Sequence, residues 1–379
     1  MPDPISRRSL ARLLGAAAGA SLLEYGPADA LARASTSSSG ASSGPIRLNA
    51  NENPYGPCKA GLTALAGCGS VASLYPGRIQ EEMRQSLAAH HRVEPDQIAL
   101  GCGSSDILRM ADSAFLSSGK KIVAAEPTFE SVLDYAKVTR AEAVKVAQTA
   151  DFRHDLPAMA AACDASTGVV YVCNPNNPTG TIVSGAELSA FIEKVPPSCL
   201  VLVDEAYHHF VEDPSYKSAL DVARGRENVV VARTFSKIYG MAGMRLGYAV
   251  GSPAKIAALE RCASWDNTSQ AALAMGLASL ADAEVVPQQR RLLNDTRRWL
   301  CAELARQGRR YIPSQANFVM IDVGEDVVPV GNAFRQRGIL VGRRFPSMPD
   351  WLRVSMGTPE QMAEFVAVLQ AVVPARAAA

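Results

Sequence analysis

The sequence predicts an α/β fold: a large domain with a mostly parallel central sheet covered by helices, plus a smaller α+β domain. Two observations predict it. Apolar runs of strand length recur at 121–126, 143–146, 168–172, 200–203, 229–231 and 248–250. Helical patterns separate most of them, which is the alternation of a parallel sheet buried on both faces. From about Asn267 the pattern then turns mainly helical, with a long amphipathic stretch through 290–306. Short strand-like runs return at 316–321, 338–341 and 351–355. A chain of 379 residues can bury a sizeable core in one large or two medium domains. A formal net charge of +1 gives no sign of a nucleic-acid partner. The eight cysteines form no C-x-x-C pair, and several lie in apolar runs. They read as small buried hydrophobes, with no essential disulfide and no metal site.

Taken in order, residues 1–34 read as a targeting segment. Ser6-Arg7-Arg8-Ser9-Leu10 sets paired arginines before an apolar, Ala- and Gly-rich run at 13–23, with small-residue cleavage candidates ending at Ala30 and Ala34. The run is too short to span a membrane comfortably, so no stable membrane anchor is expected. The segment resembles a twin-arginine export signal. The other reading is an ordinary N-terminal helix packed on the body. Residues 35–45 read as a flexible Ser/Gly linker. Residues 46–75 read as an N-terminal arm and part of the small domain, 76–266 as the large domain, and 267–379 as an interdomain helix with the small C-terminal domain.

Within the arm, Asn51-Glu52-Asn53-Pro54-Tyr55-Gly56-Pro57 is too rich in Asn and Pro for helix or central strand. It is a surface turn or the lip of a site. Leu74-Tyr75-Pro76-Gly77 precedes a helical pattern. The run 97–100 reads as a strand ending in Gly101-Cys102-Gly103-Ser104-Ser105-Asp106, where a helix begins. A strand, a Gly-rich turn and a helix start can form an anion site. The same turn can equally be a tight bend with Ser or Asp as helix cap. Ligands bind at the carboxyl ends of strands in such sheets. Polar groups leave those ends at Thr128-Phe129, at 174–180 (with Asn177) and at Asp204-Glu205-Ala206-Tyr207.

The segment Arg233-Thr234-Phe235-Ser236-Lys237, with Arg245 eight positions past the lysine, carries the chemistry. A desolvated lysine condenses with aldehydes. Hydroxyls and an arginine beside it suit a phosphate dianion. Together they suit a lysine imine to a phosphorylated aldehyde, meaning pyridoxal phosphate. The bland reading is a surface turn with one solvated lysine.

In order and spacing, these motifs resemble the fold-type I pyridoxal-phosphate aminotransferases, class I/II, and most closely the histidinol-phosphate aminotransferase branch. The motifs are Asn51-Glu52-Asn53-Pro54, Tyr75-Pro76, Gly101-Cys102-Gly103-Ser104, the 174–180 loop, Asp204 to Tyr207, Thr234 to Lys237, Arg245 and Leu352-Arg353. The resemblance covers about residues 46–370 and implies roles. Lys237 would hold the cofactor as an imine and move the substrate proton. Asp204 would pair with the pyridine nitrogen, keeping it protonated. Asn177 and Tyr207 would hydrogen-bond the phenolic oxygen, and Phe129 would stack on the ring. Gly103, Ser104, Ser105, Thr234, Ser236 and Arg245 would cradle the phosphate. Tyr75 would reach the phosphate of a neighbouring subunit, which implies a homodimer with composite sites. Arg353 would grip the substrate α-carboxylate, and Asn53 and Asn317 would line the substrate side. That branch commonly carries a phosphate-binding arginine at the position of Gly342. Here Arg343 follows one residue later as the candidate substitute.

The function expected from the resemblance is amino transfer between an α-amino acid, or a histidinol-phosphate-like amine, and a 2-oxo acid by a ping-pong route. The alternatives are a lyase, cyclase or decarboxylase on the same scaffold, and a non-catalytic binding protein, against which intact Lys237, Asp204 and Tyr207 argue. The leader implies a periplasmic or exported enzyme. Without export it would be cytoplasmic.

Overall fold

The computed structural model describes residues 44–222 and 225–374. The twin-arginine-like segment 1–34 and nearly all of the linker lie outside the described residues. From Ile46 onward the chain makes one compact unit.

The arm opens with β1 (Ile46–Leu48), and the central sheet follows. It holds β2 (Ile98–Gly101), β3 (Lys121–Glu126), β4 (Glu142–Ala147), β5 (Thr167–Cys173), β6 (Leu200–Asp204), β7 (Val229–Thr234) and β8 (Gly247–Gly251). Their spatial order is β2, β8, β7, β6, β5, β3, β4. Neighbours from β7 to β4 pair in parallel. Only β8 runs against the others, antiparallel to both β2 and β7.

The continuous apolar runs exist because both faces of these strands are covered. Successive side chains point to opposite faces. Accordingly Val169, Tyr171, Leu200, Leu202 and Val230 enter one core with the helix Ser104–Phe115. Val170, Val172, Val201, Val203 and Val231 enter the other core with the helix Gly185–Lys194. Each such valine contributes roughly 1.5–3 kcal/mol over an exposed one. A polar side chain has no place along β5 to β7 without a partner, so chemistry is confined to the strand ends.

Beyond β8, the helix Val285–Arg306 fastens two parts of the chain together. Asn294 donates to the Phe210 carbonyl (3.0 Å), just past the 204–207 segment. Arg297 donates to the Ala316 carbonyl (3.0 Å), just before the second sheet begins. The second sheet is antiparallel, with β10 (Phe318–Asp322) between β9 (Tyr311–Ile312) and β12 (Trp351–Ser355). The strand expected at 316–321 starts two residues later, at Phe318. The run at 338–341 forms β11 (Ile339–Val341), whose partner is β1 of the arm, in parallel. One apolar core takes in Leu100, Tyr248, Leu293, Phe318 and Leu352. It crosses the expected boundary at 266/267 without a break.

No helix among the described residues is long and apolar enough to cross a membrane. No cluster of three or more His, Cys, Asp or Glu side chains suited to a metal occurs among them either.

Candidate active site

A cavity of about 340 Å³ lies at the carboxyl ends of β5, β6 and β7. Cys173, Asp204 and Thr234, the last residues of those strands, all face it. The polar segments that follow the strands are neighbours because the strands are.

Asp204 is buried at the floor. Its carboxylate accepts from the Tyr171 hydroxyl (2.9 Å) and the Ala206 amide (3.0 Å). Burial pushes its carboxyl up to about 6, against those two hydrogen bonds, which pull it down. No cation lies within ion-pair distance of it among the described residues. Lys237 lines the same cavity. Its amine donates to the carbonyl of Asn51 (3.2 Å), with that of Ala50 at 3.5 Å. Desolvation, and then the nearby Arg353 charge, lower its pKa to about 8. That keeps a usable fraction of the amine neutral, as a nucleophile requires.

On one side, Gly103 meets the Arg245 guanidinium. A Cβ at Gly103 would sit 2.2 Å from Nη2, and the residue has φ +83°, so a side chain is barred twice. Arg245 donates to Ser236 Oγ (3.3 Å) and the Ala242 carbonyl (2.9 Å), and Thr234 Oγ1 donates to Ser236 Oγ (2.9 Å). The helix at Ser104 has no side-chain cap. Asp106 instead turns back to the Cys102 amide (3.1 Å) and Asn267 (2.9 Å). Asp106 thus braces the tight bend, as one sequence reading expected, but neither Ser nor Asp caps the helix, whose N-cap is Gly103. Ser104, Ser105, Thr234, Ser236 and Arg245 border the same cavity, with Phe129 on its wall.

On the other side, Arg353 is buried and donates to Asn177 Oδ1 (2.6 Å) and the Asn49 carbonyl (3.0 Å). Its Nε is buried without a partner. Desolvation lowers its pKa to about 10, leaving it charged at neutral pH. A buried guanidinium with an unused N–H is suited to a carboxylate.

Asn53 and Asn317 are not brought to the cavity. The Asn53 amide donates to the Ile238 carbonyl (3.1 Å) and Gln289 (3.0 Å), so it pins the arm. Asn317 donates to the Asn51 and Glu52 carbonyls (3.2 and 3.3 Å) from behind the wall. Tyr75 lies away from the cavity and is 85% exposed.

Two polar residues that the sequence reading passed over hold the site. Asn51, at φ 54°, donates to the Tyr207 hydroxyl (3.1 Å) and accepts from Ser355 (3.0 Å), while its carbonyl takes the Lys237 amine. Tyr171 carries the hydroxyl that holds Asp204. The signal for Tyr171 was present: a phenol within the apolar run 169–173.

The profile of the aminotransferase class I and II family matches residues 43–369. The chain belongs to this family. The histidinol-phosphate aminotransferase of Symbiobacterium thermophilum is 41% identical over 328 residues, covering 86% of this chain and 90% of the relative. That of Moorella thermoacetica is 39% identical over 328 residues, 86% and 84%. The structure of histidinol-phosphate aminotransferase from Sinorhizobium meliloti in complex with pyridoxal 5′-phosphate superimposes with a TM-score of 0.82 at 26% identity. It covers 93% of this chain and 95% of that one. The protein is a pyridoxal-phosphate-dependent aminotransferase of fold type I. The cavity fits that cofactor on its own chemistry. It has a buried carboxylate short of a cation, an amine of lowered pKa, and an open helix start beside an arginine and two hydroxyls.

The lowered lysine pKa has a measurable sign. A neutral amine captures the aldehyde, so the capture rate by apoprotein should rise about tenfold per pH unit up to about 8 and then level. Stopped-flow absorbance on mixing apoprotein with pyridoxal phosphate reads this. A rate still climbing steadily at pH 10 would mean an ordinary, solvated lysine.

Proposed function

We propose that the residues around this cavity divide the work of amino transfer as follows. Lys237 is the covalent anchor and carries a proton to and from the substrate Cα. Asp204 is the counter-ion of the ring nitrogen, and Tyr207 with Asn177 bonds the ring oxygen. Phe129 covers the ring face. Gly103, Ser104, Ser105, Thr234, Ser236 and Arg245 hold the phosphate. Arg353 holds the substrate α-carboxylate. When bound, the cofactor supplies an electrophilic carbon and a ring that disperses negative charge from Cα. The protein residues orient the reactants and move the proton. The observation that carries this reading is the placing of the Lys237 amine, the Asp204 carboxylate and the Arg353 guanidinium on one 340 Å³ cavity.

The relatives' name puts a histidinol-phosphate-like amine among the candidate donors. Gly342 supplies no side chain where that branch commonly has a phosphate-binding arginine, and an export leader fits poorly with a cytosolic biosynthetic pathway. We therefore favour a different amine. The test is single-turnover absorbance of the holoenzyme against a panel of amines without 2-oxo acid. Conversion to the pyridoxamine band with an α-amino acid is expected, and Asp204→Ala should slow it at least 100-fold, or about 3 kcal/mol. Near-normal rates in that variant would remove Asp204 from its role. Consumption of the amino acid without band conversion would mean a lyase, cyclase or decarboxylase.

We also propose a homodimer with composite sites. Tyr75, Leu74 (59% exposed) and Trp265 (96% exposed) border one surface cavity of about 820 Å³. Large apolar side chains left this exposed together are characteristic of an interface. Trp265→Asp should shift the protein from dimer to monomer in light scattering and weaken cofactor retention. A wild-type monomer would refute the composite site.

Finally, we propose that residues 1–34 direct export through the twin-arginine route. A reporter fused to them should reach the periplasm, and Arg7→Lys with Arg8→Lys should hold it in the cytosol. Export indifferent to that change would exclude the route.

A further inference from the structure

All eight cysteines are free thiols in this structure. Two of them, far apart in sequence, meet at the amino ends of β5 and β6. Cys163 follows the helix Leu156–Ala161. A turn then carries the chain into β5, closed by the Thr167 amide on the Asp164 carbonyl (3.0 Å) and the Asp164 amide on Thr167 Oγ1 (2.9 Å). Cys199 stands directly before β6, and its neighbour Leu200 lies opposite Val169 of β5. Paired strands lie about 4.8 Å apart, so the turn before β5 and the residue before β6 come together. Both side chains enter the same apolar core, Cys199 fully buried and Cys163 half-buried at its edge. There the Cys199 S–H donates to Cys163 Sγ. Cys58, Cys68 and Cys173, by contrast, bond to Ser279, to the Ala64 carbonyl and to the Pro175 carbonyl.

The pair is asymmetric. The hydrogen bond from Cys199 lowers the Cys163 pKa, against burial and with help from the Lys121 charge. The same bond, together with burial, raises that of Cys199. Lys121 is itself tied to Asp164 (2.7 Å), beside Cys163. Cys163 is therefore both the more readily ionised and the more accessible thiol, as the attacking member of a dithiol must be. Cys199 needs no access to solvent, because its partner is already beside it.

We propose that Cys163 and Cys199 are a redox-active pair that closes to an internal disulfide in the folded protein and braces β5 against β6. The oxidant is an external disulfide, of a small thiol or of a thiol–disulfide exchange protein. Cys163 gives its proton to solvent, and its sulfur attacks one sulfur of that disulfide, whose S–S bond breaks and releases one thiolate. The Cys199 sulfur then attacks Cys163 Sγ, the mixed disulfide breaks, and the second thiol leaves with the Cys199 proton. The pair loses two electrons and the external disulfide gains them. The new bond lies at the opposite end of the strands from the cofactor cavity, so the site is unchanged. It closes a loop that holds the 174–180 segment and the helix Gly185–Lys194, and so restricts the unfolded chain. Folding does not depend on it, because the reduced thiols already pack side by side. Such bonds belong to oxidising compartments, but the chemistry of the pair is independent of the export reading.

The test is oxidation of the folded, full-length holoenzyme with glutathione disulfide at about pH 8. Denaturation, alkylation of the remaining thiols and peptide mass mapping without reductant follow. A peptide carrying Cys163 linked to one carrying Cys199 is expected, and dithiothreitol should remove the link. Cys199→Ala should instead accumulate a glutathione adduct on Cys163, and Cys163→Ala should leave Cys199 reduced. Cys102 is exposed and can take an adduct of its own, so linkage rather than thiol loss is scored. Oxidised wild type should melt roughly 3–6 °C above the reduced form, with amino transfer changed less than about twofold. That difference should be absent from Cys163→Ala. Adducts without a linked peptide, a link that survives Cys163→Ala, or a melting temperature unmoved by the link overturns the proposal. The wild-type map decides the linkage whether or not the variants fold.

Discussion

Complete burial of β5, β6 and β7 is the constraint on which the rest of this structure depends. Apolar cores cover both faces of these strands, so a polar side chain along them is costly unless the fold supplies a partner, as Asp204 does for Tyr171. Polar residues collect where the strands end. Because the three strands are adjacent and parallel, their ends coincide in space. Asp204, Asn177 and Lys237 come from three separate segments, each following a different strand, yet they line one cavity.

Desolvation is the second consequence of the same burial. It pushes the Asp204 carboxyl up and the Lys237 and Arg353 groups down. Each shift reflects a charge held away from water with too few partners from the chain. In the proposed division of work, Asp204 would take a cation, Lys237 an electrophile and Arg353 a carboxylate, and groups fixed in advance raise affinity without large contact area.

The arm shows how tertiary contacts reassign similar residues. Asn51 and Asn53 stand two apart in the same polar loop, and both are buried. Asn53 faces the body and pins the arm to Ile238 and Gln289. Asn51 faces the reacting centre and joins Tyr207, Ser355 and Lys237. Sequence favoured Asn53, because nothing in the loop's composition distinguishes the inner from the outer amide. The distinction comes from where β12 places Ser355, some 300 residues later.

What the sequence by itself determined is what local chemistry and spacing can carry. Continuous apolar runs require a sheet covered on both faces, polar segments after those runs mark strand ends, and the lysine, aspartate and arginine types select the chemistry. The tertiary structure alone decided the rest. It paired β11 with β1, ran β8 against its neighbours, took Asn53 and Asn317 out of the cavity wall, and left Gly342 no room for a side chain, since a Cβ there would stand 2.6 Å from the Arg353 carbonyl oxygen. These outcomes depend on contacts between residues distant in sequence. A strand's partner, an amide's direction and the space beside a glycine are set by the second element that arrives there, and one segment read alone holds no record of it.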